Sequence, residues 1–139
     1  MRRRLIVVAA GLGMLLAAGP VRAHHSFAAE FDSEKPVKLK GVVTKMEWVN
    51  PHAWIYIDVV GDDGKTTNWS IELGAPNALM RRGWRTNVVE VGAELIINGY
   101  LAKNGKPIAN GRAVKFPDGK ELFVGSSGTG APNDPKDGK

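Results

Sequence analysis

The sequence predicts an all-β domain with one short helix, its elements running β-β-β-α-β-β. Three observations predict it. Apolar and polar residues alternate with period two in several short runs, as a half-buried strand requires. Turn signals such as "GDDG" and "KNGK" separate these runs. Between the third and fourth runs, "APNALMRRG" carries the punctuation of a helix instead.

Residues 24–36 read as a polar-aromatic lead arm. Phe27 and Phe31 lie four apart, so one helical turn would put both rings on one face, where they would dock the arm on the domain. Pro36 would end the arm. In "VKLKGVVTKMEWV" (37–49), Val37, Leu39, Val43, Lys45 and Glu47 keep the alternation with a slip at Gly41, the mark of a bulge or sharp bend. "AWIYIDVV" (53–60) is the second strand, with Trp54, Tyr56 and Asp58 facing away from Ile55, Ile57 and Val59. "GDDGK" turns it into the third, "TTNWSIEL" (66–73).

In the helix, Pro76 suits the first turn, Arg81 and Arg82 the last, and Gly83 the C-terminal cap. Leu79 and Met80 are its expected core contacts, and Val88, Val89 and Val91 are expected to pack in the connector that follows. "ELIINGYLA" (94–102) is the fourth strand. "GRAVKFPDGKELFVG" (111–125) holds a fifth strand, or a final hairpin turned by Pro117, Asp118 and Gly119. The four tryptophans, Trp48, Trp54, Trp69 and Trp84, are expected mainly in the core. Residues 126–139, rich in Gly, Pro, Ser and Asp, are expected to be disordered. No internal repeat is present. Three strands, a helix and two strands is the element order of an OB-like small Greek-key barrel, here over residues 37–125. Another small barrel is the alternative.

The first 23 residues read as a secretory signal peptide. Arg2, Arg3 and Arg4 precede an apolar run over residues 5–18, Pro20 breaks it, and Val21, Arg22 and Ala23 form a cleavage site. The run is short of the ~20 residues a bilayer span needs, so no stable membrane anchor is expected after cleavage. The double arginine leaves the choice between general and twin-arginine export open. The expected location is the periplasm.

Composition narrows the function classes. The formal charge is +5, but Arg2, Arg3, Arg4 and Arg22 lie in the leader, which holds no acid, so the mature chain carries +1. A nucleic-acid groove needs clustered Lys and Arg, and here the charges are interspersed. There is no cysteine, which excludes disulfides, thiolate chemistry and a lipoprotein anchor. No G-x-S-x-G or H-E-x-x-H motif is present. Asp62 and Asp63 sit in a hairpin turn, where solvated acids are ordinary.

The chain has three histidines, and two, His24 and His25, follow the predicted cleavage point directly. Cleavage there would give His24 a free α-amine with a pKa near ~8, able to chelate a metal together with the imidazole. His52 follows the Asn50-Pro51 turn, flanked by Trp48 and Trp54. If the arm folds back, His24, His25 and His52 would offer nitrogen ligands suited to Cu(II), with Glu30, Asp32 or Glu47 as candidate oxygen ligands. The plainer alternative is a solvated terminus and a His52 that merely caps its turn.

The motifs "HHSFAAEFD", "WVNPHAW", "APNALMRRGW", "NGK" and "PDGKEL" together resemble a family of small exported bacterial proteins known only as domain of unknown function 6152. The resemblance covers nearly all of residues 24–124. It implies location and fold and brings no activity. The expected function is a non-enzymatic periplasmic binding module for a copper ion. The alternatives are a metal-free adaptor binding a protein or small ligand through Trp48 and Trp54, and a copper-dependent oxidase or monooxygenase.

Overall fold

The computed structural model describes residues 27–126. The predicted leader, its cleavage point, His24, His25 and all of the predicted tail except Ser126 lie outside the described residues. In chain order the elements are α1 (Phe27–Glu30), β1 (Phe31–Glu47), β2 (Trp54–Val60), β3 (Thr66–Glu72), α2 (Pro76–Arg81), β4 (Glu94–Ala102), β5 (Ile108–Lys115) and β6 (Glu121–Phe123). The fold is mostly β with two short helices, and among the described residues no helix is long and apolar enough to cross a membrane.

β1 organises the sheet because its length serves two neighbours. Its first part pairs with β4, from Phe31↔Ala102 to Val42↔Glu94. Its second part pairs with β2, from Val42↔Asp58 to Glu47↔Trp54. β2 and β3 form the expected hairpin, from Trp54↔Glu72 to Val60↔Thr66. β4 pairs with β5, and β5 turns through Pro117, Asp118 and Gly119 into β6. β3 also runs parallel to β5 at Ser70, Ile71 and Glu72, against Ile108, Ala109 and Asn110. The pairings thus lead from β1 through β2, β3, β5 and β4 back to β1.

The expected irregularity in β1 is resolved into two devices. Gly41 lies where the strand changes partners, and a Cβ there would stand 2.6 Å from the carbonyl oxygen of Asp58. The glycine is needed for close backbone approach. The bulge itself comes later, between Val43 and Lys45, where Thr44 is the extra residue.

The core forms from the inward half of each alternation. Ile55, Ile57, Ile71, Leu95, Ile97 and Val114 are each at most 1% exposed. Trp84 is fully buried and donates its indole N–H to the carbonyl oxygen of Phe123 at 3.1 Å, tying the connector after α2 to β6. Leu79 is buried as expected, but Met80 is 41% exposed. A six-residue helix buries one face, and the residue after Leu79 is turned about 100° away. Val88 and Val89 pack on the core, whereas Val91 is 71% exposed. It stands at the corner of a tight turn closed by Gly92, at φ 90°, and by the Gly92 N–H donated to the Val43 carbonyl.

The lead segment does not remain a separate arm. α1 gives way to β1 at Phe31, and the strand continues through Pro36, which sits opposite Tyr100 past an irregularity in register. The helical turn does bring the two phenylalanines together. Phe27 stacks on Phe31 at 5.7 Å and meets Tyr100 edge-on at 5.5 Å, while Phe31 itself is buried.

Candidate functional site

His52 lies in the connection between β1 and β2, after the cis Asn50-Pro51 bond. Its position is set by the next residue. Ala53 is fully buried, donates its N–H to the Gly74 carbonyl and accepts one from the Leu73 N–H. These bonds hold the connection against the end of β3. There the His52 Nδ1 stands 3.0 Å from Oε1 of Glu72.

Glu72 has an unusual place. Ile71 points into the core, so alternation sends Glu72 to the opposite face, yet Glu72 is only 6% exposed. On β2 its register partner is Trp54, and on β5 it is Asn110. Asn110 is fully buried, and its Nδ2 donates to Oε1 of Glu72 at 3.4 Å. Among the described residues, the Asn110 Oδ1 has no hydrogen-bond partner.

The surroundings push the Glu72 carboxyl up to about 7. Burial is the main cause, and the negative charge of Glu30 adds to it. The Asn110 hydrogen bond acts in the opposite direction.

A cleft opens beside Glu72. Ala29, Glu30 and Phe31 line it from the lead segment, Trp54 and Glu72 from the β2–β3 hairpin, and Ala102, Lys103, Asn104 and Ile108 from the β4–β5 turn. Lys103 holds the lead segment in place. Its backbone N–H donates to the Glu30 carbonyl at 2.9 Å and its Nζ donates to the Ala28 carbonyl at 2.6 Å.

The other residues singled out in the sequence fall as follows. Trp54 is half-buried on this cleft. Trp48 is not among its walls; it packs against Trp84 at 6.4 Å, and its indole N–H is buried with no hydrogen-bond partner among the described residues. Glu30 lines the cleft. Glu47 is engaged elsewhere, paired with Lys45 and accepting the Tyr56 hydroxyl at 2.9 Å. Those two bonds hold its carboxyl below the usual range. Asp32 accepts the Glu34 N–H and pairs with Lys35. Asp63 accepts the Lys65 N–H, as a turn acid does. Among the described residues, no group of three or more His, Asp or Glu side chains is placed to hold a metal by itself.

Glu72 and Asn110 escape sequence reading. An acid at an outward position of a strand reads as solvated, and the only hint is that "SIEL" places it against a run of core residues.

Comparison with curated proteins and with solved structures finds no match. A family model does match, over residues 13–111, under the description "Family of unknown function (DUF6152)". The match spans the His24-His25 pair, His52, Glu72 and Asn110, while "PDGKEL" lies beyond it. The chain belongs to this family of unknown function, DUF6152.

Proposed function

We propose that this chain is an exported Cu(II)-binding module on an OB-like barrel, with His24, His25 and His52 as the ligands. Two features support the barrel. The pairings return from β3 through β5 and β4 to β1, and α2 lies between β3 and β4, as in an OB-fold.

One observation carries the metal reading. The lead segment is pinned at the cleft whose wall holds Glu72, and Glu72 is the partner of His52. Phe27, anchored on Phe31 and Tyr100, follows His25 with only Ser26 between. In the chain, His24 and His25 therefore stand three and two residues before this anchored ring. A terminal amine and imidazoles make a nitrogen-rich set of the kind Cu(II) favours. Export with cleavage after Ala23 supplies that amine. The test is metal analysis and intact mass of protein recovered from its own periplasm. The expected result is about one copper per chain that begins at His24. Another N-terminus, or metal-free protein, would overturn the reading.

A second reading rests on Trp54. Its ring lines the cleft together with Glu72 and Lys103, so a small ligand with an apolar face and a polar end would find both chemistries there.

A further inference from the structure

We infer that Glu72 is the positioning residue for His52: its carboxylate takes the imidazole Nδ1–H and leaves the ring's lone pair on Nε2, the atom a metal would take. The inference depends on the copper reading for what Nε2 binds. The orientation of the ring does not depend on it.

The pair is built to hold one arrangement. Glu72 cannot swing freely, because it is 6% exposed and belongs to two ladders, opposite Trp54 on β2 and Asn110 on β5. Asn110, itself fully buried, steadies Oε1 from the side away from β2. His52 is held from the other direction by the backbone bonds of Ala53. The resulting Nδ1 to Oε1 distance of 3.0 Å lies within the range at which a ring N–H donates to a carboxylate. An ionised carboxylate can only accept, so a bond at this distance needs its proton on Nδ1. A ring protonated at Nε2 alone would instead turn a nitrogen lone pair toward a carboxylate oxygen. Carboxylates that accept the second ring N–H of a ligand histidine fix its tautomer in this way and raise its basicity. Solvated imidazole, by contrast, prefers its proton on Nε2. The sequence places His52 beside a turn with no acid near it in the chain, so this control comes entirely from the fold.

The experiment uses the full mature chain beginning at His24. Long-range nitrogen–proton NMR at pH 8.5 on the metal-free protein reads which ring nitrogen of His52 carries the proton, with His52→Ala identifying the signal. The expected result is a proton on Nδ1 in the native protein and on Nε2 in Glu72→Leu. Competitive titration with Cu(II) ions should then show a dissociation constant ~10–100-fold higher for Glu72→Leu. A native ring protonated on Nε2 would overturn the inference at once, with no variant needed. So would a Glu72→Leu protein that keeps the native tautomer and the native Cu(II) affinity. Native protein that fails to bind Cu(II) at all overturns the proposed function instead, and the NMR result still decides the role of Glu72.

Discussion

His52 and Glu72 meet at 3.0 Å, although one belongs to the β1–β2 connection and the other to the far end of the β2–β3 hairpin. The contact joins the one described histidine to a buried acid on the wall of a cleft that the lead segment also lines. The predictions below start from this convergence.

Cu(II) should stabilise the mature protein only if the terminus and the domain share the ion. Binding adds RT ln(1 + [L]/Kd), about 2.7 kcal/mol at a hundredfold excess over Kd. A melting scan should therefore show a clear rise for the chain beginning at His24. One extra N-terminal residue moves the amine away from the His24 ring and should remove most of the rise. His52→Ala should do the same, because a terminus that binds copper by itself does not brace the domain. Equal shifts in all three proteins would reject a shared site.

The raised Glu72 carboxyl predicts a pH dependence in metal-free protein. Its ordinary value is 4.5 and its folded value about 7, so between these pH values the folded state holds a proton that the unfolded state has lost. Stability from this group is then full below pH 4.5 and falls as pH rises to about 7. Glu72→Gln should gain on the native protein across that window in paired melting curves. If the native protein gains instead, the ionised pair with His52 outweighs the cost of burial.

Gly41→Ala should destabilise the protein by about 1–3 kcal/mol, as forced overpacking does. The obstacle is the Asp58 carbonyl, a backbone atom that cannot rotate away. Gly99→Ala should behave alike, because its Cβ would run into the carbonyl oxygen of Asn110. Urea denaturation measures both. An unchanged midpoint for Gly41→Ala would mean that β1 can part from β2 at no cost.

Trp84→Ala should cost about 3–5 kcal/mol, the range for removing a large buried aromatic. It would empty a fully buried site, strip the contacts to Trp48 and Phe116, and leave the Phe123 carbonyl without its indole donor. Hydrogen exchange at β6 should rise most, since β6 has three residues, pairs only with β5 among the described strands, and accepts that bond at Phe123. Uniform exchange across all strands would contradict a local tie.

Local pattern in the chain was enough to determine most of the strands. Ile55 and Ile57 alternate with half-buried neighbours, "GDDGK" closes the β2–β3 hairpin, and Pro76 and Gly83 bracket α2, because period, turn chemistry and capping act over a few residues. Local pattern also marked His52 and Trp54 as candidates. It did not separate Val89 from Val91, or Leu79 from Met80, since all four are apolar and only the packed fold decides which way each one points. Nor did it find the Glu72–His52 pair, or the Asn110 that steadies it. Those residues come together through the β2–β3 register and through the parallel pairing of β3 with β5, contacts between distant parts of the chain. Burial of Glu72, and with it the raised carboxyl, exists only once those strands and the lead segment are in place, because desolvation is a property of the assembled neighbourhood and not of the residue.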